Sequence, residues 1–161
     1  MNADILYDSL TVEDVRVYSN LALEYACEYG YLHLVQYLCE TFWLTVEDVR
    51  SDNNWALRYA CENGHLNVVQ YFCEMFDLTI EDVRSKSNQA LQWACRNGHL
   101  HVIEYLCETF GLTVEDIRSD DNWALKLACK YGHLHVIQWI CQHFQLDYER
   151  EISALYGQNK V

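Results

Sequence analysis

Residues 54–73 read Asn54-Trp55-Ala56-Leu57-Arg58-Tyr59-Ala60-Cys61-Glu62-Asn63-Gly64-His65-Leu66-Asn67-Val68-Val69-Gln70-Tyr71-Phe72-Cys73, and similar stretches begin at Asn20, Asn88 and Asn122, each 34 residues from the next. Before the glycine, the apolar residues have the spacing of one helical face: Ala56, Leu57, Ala60 and Cys61. After it, a second apolar face contains Leu66, Val69, Phe72 and Cys73. Each copy is therefore predicted to be a helix hairpin.

Two residue types mark the ends of the predicted helices. Gly64 and its equivalents Gly30, Gly98 and Gly132 stand between the two apolar patterns. A helix ends readily there, because glycine adopts a left-handed conformation without steric cost. Asn54 and its equivalents Asn20, Asn88 and Asn122 stand one residue before the first helix. Their short amide side chains are predicted to cap that helix.

A second motif, Leu44-Thr45-Val46-Glu47-Asp48-Val49-Arg50, also begins at Leu10, Leu78 and Leu112. Thr45 is a suitable N-cap, and Glu47 and Asp48 then lie in a first turn, where the helix dipole favours negative charge. The motif therefore predicts a short helical turn. Acid/base chemistry is not favoured, because adjacent residues of a helix point in different directions and the carboxylate pair recurs in every copy. Arg50 and its equivalents are expected to pair with a nearby glutamate or with an acid of the next copy.

The pattern Ala-Leu-x-x-Ala-Cys-x-x-Gly-His-Leu resembles the two-helix core of the ankyrin repeat, a family that stacks such hairpins into a solenoid. The resemblance implies an all-α fold with four units: unit 1 (10–43), unit 2 (44–77), unit 3 (78–111) and unit 4 (112–145). Residues 1–9 are expected to form an N-terminal cap segment and residues 146–161 a C-terminal capping helix. The chain departs from the family in lacking proline and in carrying Trp55-Ala56-Leu57-Arg58 where Thr-Pro-Leu-His is usual. Residues 44–50 replace the family's β-hairpin finger, so a short helical turn is expected in its place.

Charge is distributed unevenly along the chain. Its net charge is −13, and units 1 to 4 carry −4, −4, −1 and −1. An acidic field repels nucleic acids and anionic membranes and favours a partner with a basic surface. Solubility of the solenoid is the alternative explanation for these acids.

Cysteine and histidine recur in step with the units, and we predict no metal or cofactor. The eight cysteines fall on predicted inner helix faces, where free thiols behave as small apolar residues and fit a reducing compartment. His99 and His101 are two residues apart, so on a helix they face different ways and cannot bind one metal together. The first residues resemble no signal peptide, and no stretch is long enough to span a membrane. A cytoplasmic location is expected.

Some positions vary between the units and are not dictated by packing. In the ankyrin family the equivalent positions line the concave face and contact partner proteins, so the resemblance implies a partner-binding surface. Its predicted residues are Tyr18, Glu28, Tyr29, Asp52, Trp55, Glu62, Asn63, Lys86, Arg96, Asn97, Trp123, Lys130 and Tyr131. For Trp55 and Trp123, packing between units is an equal alternative, whereas Tyr59 and Trp93 are expected to pack between units.

These features predict a non-catalytic protein–protein interaction module, monomeric and with no catalytic residues. No Gly-rich phosphate loop, nucleophile elbow or zinc-ligand spacing indicates an enzyme. The alternative is a solenoid that associates end to end, or a designed one, without a dedicated ligand. The Leu-Thr-x-Glu-Asp element is similar to ankyrin subtypes of giant viruses of amoebae and of amoebal proteins, which implies a viral adaptor in the host cell cytosol. Consensus design would also explain four similar units.

Overall fold

The computed structural model describes the backbone of residues 12–157 and the side chains of residues 21–155. The predicted N-terminal cap segment lies outside the described residues. Eleven helices are present in the described part of the chain: α1 Val12–Tyr29, α2 Leu32–Thr41, α3 Val46–Glu62, α4 Leu66–Met75, α5 Ile80–Val83, α6 Ser85–Asn97, α7 Leu100–Phe110, α8 Val114–Ile117, α9 Ser119–Lys130, α10 Leu134–His143 and α11 Tyr148–Gly157. There is no strand between residues 12 and 157, so the predicted all-α fold is confirmed.

The helices form two layers. The inner helices α1, α3, α6 and α9 pack each on the next, and the outer helices α2, α4 and α7 pack in the same order behind them. Helix α11 lies against α9 and α10 at the C-terminal end. Each inner helix joins its outer helix through a glycine turn, as the hairpin prediction required, and Gly98 there has φ +76°. Successive hairpins therefore stack into a solenoid.

A single core runs through the stack because the same positions are apolar in every unit. Ala60 and Cys61 are buried in unit 2, and so are their equivalents Ala26, Cys27, Ala94, Cys95, Ala128 and Cys129. All eight cysteines are buried free thiols, which confirms their predicted role as small apolar residues. Small side chains at these positions let neighbouring inner helices approach closely.

The predicted helical turn replaces the family's finger, and its threonine cap is confirmed. The Thr45 backbone N–H donates to Asp48 Oδ2 at 2.8 Å, and the Asp48 N–H donates to Thr45 Oγ1 at 3.4 Å. In the next unit the Thr79 N–H donates to Asp82 Oδ2 at 2.8 Å. This reciprocal arrangement satisfies N–H groups that a helix start leaves unpaired.

Asn54, Asn88 and Asn122 are not N-caps, so the prediction was wrong for these three, and the side chain of Asn20 lies outside the described residues. Within α3, three consecutive residues, Asp52, Asn53 and Asn54, have φ of 45°, 58° and 60°. They form a left-handed turn that separates a short first helical segment from the inner helix of unit 2. The same turn occurs at residues 86–88 and 120–122. Asn54 and Asn88 Nδ2 donate to the carbonyls of Asp82 and Asp116 in the following units, at 3.3 and 3.4 Å. The amides therefore join units, and the buried Oδ1 atoms of Asn54, Asn88 and Asn122 accept no hydrogen bond.

An arginine–aspartate ladder also joins the units. Arg50 donates from Nε and Nη2 to the two carboxylate oxygens of Asp82, at 2.8 and 2.9 Å. Arg84 makes the same pair with Asp116, at 2.7 and 2.9 Å. The expected pairing with the next unit's acid is thus confirmed, and each aspartate is also the buried capping residue of its own short helix. The aspartates are buried, whereas the arginine side chains are about 40% exposed. Because the contact is bidentate and its carboxylate is buried, the pair is stronger than a fully exposed ion pair.

Candidate partner-binding surface

The variable residues lie in two rows at opposite ends of the inner helices. The hairpin-end row consists of the paired residues at the C-terminal ends of those helices: Glu28, Tyr29, Glu62, Asn63, Arg96, Asn97, Lys130 and Tyr131. The turn-end row lies in or next to the left-handed turns and comprises Asp52, Trp55, Lys86 and Trp123. Glu62 is seven residues after Trp55 on the α-helix, so the rows are roughly 10 Å apart. The predicted residue Tyr18 lies in α1, and its side chain is outside the described residues.

In units 3 and 4 the hairpin-end row is basic and packed on an aromatic ring. The Arg96 guanidinium carbon lies 5.3 Å from the Tyr131 ring centroid, and Lys130 Nζ lies 5.6 Å from it. Arg96 Nη1 is also 3.6 Å from Glu62 Oε1. Arg96 therefore lies between a carboxylate of the preceding unit and a ring of the following one, and Glu62 is partly neutralised.

In unit 1 the same row is acidic and aromatic. Three tyrosines that we call the tyrosine cluster, Tyr25, Tyr29 and Tyr31, have ring centroids separated by 4.6, 5.9 and 6.0 Å. All three rings are about half exposed, and Glu28 beside them is exposed too. The Tyr31 ring is the main cause of a raised Tyr25 pKa. This end of the surface thus offers exposed aromatic rings next to negative charge.

The two asparagines of the row use their amides within the protein. Asn63 Nδ2 donates to the carbonyl of Tyr59 in the same helix, at 3.0 Å. Asn97 Nδ2 donates to the carbonyl of Glu62 in the preceding unit, at 2.6 Å. The Asn63 bond adds to the end of its own helix, whereas the Asn97 bond satisfies a carbonyl at the end of α3 and ties units 2 and 3 together. The exposed polar and aromatic side chains available to a partner are therefore concentrated at the two ends of the row.

The turn-end row contributes charge, but only one of its tryptophans is accessible. Asp52 and Lys86 are exposed in the left-handed turns. Trp123 is 45% exposed, whereas Trp55 is only 9% exposed and its Nε1 donates to Ser51 Oγ at 3.2 Å. Trp55 is thus not available to a partner in this structure, because α3 is covered by inner helices on both sides.

Between the rows, aromatic and arginine side chains pack across units as expected. The Tyr59 and Trp93 rings meet edge to face with centroids 6.2 Å apart. Arg58 lies with its guanidinium 5.3 Å from the Trp93 ring, and it donates to the carbonyls of Asp52 and Asn53 and to Gln89. Burial, together with the Glu24 and Glu62 carboxylates, raises the Tyr59 pKa. This strip holds the two rows at a fixed spacing.

The prediction from sequence omitted two members of the tyrosine cluster, Tyr25 and Tyr31. Tyr25 and Tyr29 are four residues apart on one helix, a spacing that brings side chains together. Tyr31 occupies the position of His65, His99 and His133, which pack on the glycine of the preceding unit. Unit 1 has no preceding unit in the described structure, so Tyr31 is left on the surface. The helical spacing was the signal that could have identified the cluster.

No group of three His, Cys, Asp or Glu side chains able to hold a metal occurs in the part of the chain with described side chains. Among residues 12–157, no helix is both long and apolar enough to cross a membrane.

Stacked two-helix units that display a variable surface on a constant core define a helical-repeat solenoid. The chain matches the family model for ankyrin repeats (3 copies) at residues 4–82 and 75–151. These segments cover most of the sequence, so the chain belongs to the ankyrin repeat family, as the resemblance implied.

Solved structures similar to this one include the following two. An ankyrin repeat family protein from Legionella pneumophila has a TM-score of 0.65 and 26% sequence identity, over 86% of this chain and 40% of that chain. This chain therefore spans less than half the length of the Legionella protein. A chain in the crystal structure of the yeast ribosomal protein Rps3 in complex with its chaperone Yar1 has a TM-score of 0.63 and 23% identity, over 86% of this chain and 97% of that chain. No curated protein matches the sequence.

Proposed function

We propose that the chain is a non-catalytic module that binds a basic surface of a partner protein through the hairpin-end row. Ankyrin repeats are protein–protein interaction modules, so the family supports binding in general. On this proposal residues 10–145 form the four stacked units, with capping segments at 1–9 and 146–161. The molecule acts as a monomer in the cytosol, where its buried thiols stay reduced. The host cell cytosol is the compartment that a viral adaptor would occupy.

One observation carries the proposal: neighbouring positions of the same helices are constant where they are buried and variable where they are exposed. Ala26 and Cys27 recur in every unit and are fully buried. The next two residues, Glu28 and Tyr29, are exposed and are replaced by Arg96-Asn97 and Lys130-Tyr131 in later units. Packing does not require this variation, and exposed Tyr and Arg are side chains enriched at binding hot spots.

The proposal is tested by charge reversal at Glu28, because Glu62 is already engaged by Arg96. Immobilised wild type, Glu28→Lys and the control Glu74→Lys are compared for the proteins they retain from a eukaryotic cytosolic lysate. Glu74 is exposed on the outer helix α4, so the control makes the same charge change on the opposite layer. A partner retained by the wild type and the control but lost by Glu28→Lys supports the proposal. Equal retention by all three would reject this surface.

Self-association is the second candidate function, and the exposed apolar residues of unit 1 favour it. Leu21 is 59% exposed on α1, so a second copy could stack there. Sedimentation over a wide concentration range distinguishes self-association from partner binding by a monomer, because end-to-end stacking produces species that grow with concentration. A monomer at every concentration would exclude it.

A further inference from the structure

An internal arginine–tyrosine contact among the described residues serves as a template. Arg96 of unit 3 lies over the ring of Tyr131 of unit 4, at 5.3 Å from its centroid, and approaches the carboxylate of Glu62 in unit 2. A cation over a ring face is attracted by the ring's quadrupole, and the flat guanidinium also stacks on it. The hairpin-end row therefore accommodates an arginine between an acid and a tyrosine.

Tyr29 occupies the same position in unit 1 as Tyr131 does in unit 4, three repeat lengths away. Its ring is 50% exposed, compared with 45% for Tyr131. Beside it stands Glu28, at the position where unit 4 has Lys130. The ring of Tyr29 thus has an acid as its neighbour in place of a cation.

In the part of the chain with described side chains, the Tyr29 ring has no cation partner. Among the residues with described side chains, no arginine or lysine lies over a ring of the tyrosine cluster. Arg16 is the only Lys or Arg before Arg50 in the sequence. Arg50 and Arg84 occupy the position of Arg16 in later units. Both pair with aspartates near the left-handed turns, at the opposite end of the inner helices.

We propose that the tyrosine cluster and Glu28 form a docking site for an arginine side chain of the partner. The guanidinium would lie over the Tyr29 ring, where an additional unit would place the equivalent of Arg96, and would pair with the Glu28 carboxylate. Tyr25 and Tyr31 extend the aromatic surface on which the rest of the basic segment rests. This inference rests on the proposed function and specifies which side chain of the partner binds at unit 1.

The test uses the full chain and short fluorescent peptides of alternating glycine and arginine, or glycine and lysine, at about 0.15 M salt, which screens long-range attraction. Wild type is expected to bind the arginine peptide more tightly than the lysine peptide. Tyr29→Ala should weaken arginine-peptide binding about tenfold, as for loss of an aromatic hot spot. Tyr29→Phe keeps the ring and should retain binding within about twofold.

A matched control is available in the same unit. Tyr37 is an exposed tyrosine of the outer helix α2, so Tyr37→Ala removes an equal ring from the other layer and should leave binding unchanged. Glu28→Gln should weaken binding several-fold through the lost charge. Circular dichroism verifies that each variant remains helical.

Three outcomes would overturn the inference: no binding of the arginine peptide, equal binding of the two peptides, or binding that Tyr29→Ala leaves unchanged. The proposed function is judged separately, by whether Glu28→Lys loses the partner from the lysate. If Glu28→Lys loses the partner but the wild type does not bind the arginine peptide, the hairpin-end row remains the proposed interface and the arginine site is rejected.

Discussion

The imidazole of His99 fills the space that a β-carbon on Gly64 would need. A Cβ built on Gly64 would lie 2.5 Å from His99 Nδ1, and the glycine has φ +76°. The same relationship joins Gly30 to His65 and Gly98 to His133, so each hairpin turn is covered by a ring of the next unit. Burial is the main cause of a lowered His99 pKa, which is consistent with a ring held between units.

Gly64→Ala is therefore predicted to destabilise the protein far more than Gly132→Ala. The two glycines occupy equivalent turns of units 2 and 4, with φ of +76° and +79°. No atom lies within 4 Å of a Cβ at Gly132. Alanine at Gly132 meets only the cost of a left-handed conformation, about 1–2 kcal/mol. Alanine at Gly64 adds a clash with His99, about 1–3 kcal/mol more.

Urea unfolding followed by circular dichroism measures the two costs. His99→Ala removes the clashing ring. Relative to His99→Ala alone, the double variant Gly64→Ala/His99→Ala should lose about as much stability as Gly132→Ala loses relative to the wild type. Equal destabilisation by the two single substitutions would contradict the packing argument.

The Arg84–Asp116 pair is predicted to make the protein sensitive to acid. Hydrogen bonds from Arg84 lower the Asp116 pKa from 3.8 to about 2. Because the folded-state pKa lies below the unfolded one, the stabilisation is complete above about pH 4 and is lost as the pH falls towards 2. The shift corresponds to about 2 kcal/mol, reduced somewhat because Arg84 is partly exposed.

Unfolding free energies between pH 5 and pH 2 test this pair. Asp116→Asn should lose less stability over that range than the wild type, since an amide does not titrate. Asp77→Asn, a control at an exposed carboxylate, should follow the wild type. The pair has no such role if Asp116→Asn and the wild type show the same pH dependence.

The eight cysteines are predicted to resist thiol reagents until the protein unfolds. Burial raises the pKa of Cys39 to about 11 and those of Cys73 and Cys107 to about 12. The thiolate is the reactive form, so little nucleophile is present at neutral pH, and access is blocked as well. A chromogenic disulfide reagent should label native protein slowly and all eight thiols in denaturant. Rapid labelling of several thiols in native buffer would show that the core opens easily.

The repeated pattern was sufficient to predict the fold because each unit buries the same face. The glycine turn, the Thr45 cap and the helical turn in place of a finger each follow from local rules and are confirmed. The role of Asn54 was not predictable in this way, because its amide is directed at a carbonyl of the next unit. A cap and a left-handed turn both favour asparagine, so residue type alone does not distinguish them.

The candidate surface was less predictable, because exposure depends on neighbouring units. Trp55 and Trp123 occupy equivalent positions, but inner helices pack on both sides of α3. In the described part of the chain no inner helix follows α9, and the helix α11 packs there instead. Tyr31 is exposed because no preceding unit covers it in the described structure. Position within a unit therefore predicts the core, and position within the stack decides which side chains remain accessible.

Ser87 provides a test of the left-handed turn. It is exposed with φ +59° and lies between Lys86 and Asn88, which have φ of 48° and 65°. Asparagine tolerates this conformation better than serine, because its side chain can hydrogen-bond locally, whereas a β-branched residue is strongly disfavoured.

Ser87→Asn is therefore predicted to raise the free energy of unfolding by up to about 1 kcal/mol, and Ser87→Val to lower it by about 1–2 kcal/mol. Denaturant unfolding of the two variants beside the wild type measures both effects at one site, so differences in exposure do not enter the comparison. In an ordinary helix interior the two variants would be about equally stable, because valine and asparagine have similar helix propensities. Equal stabilities for the two variants would thus indicate right-handed helix at Ser87, and a large gap in favour of asparagine is the signature of the left-handed turn.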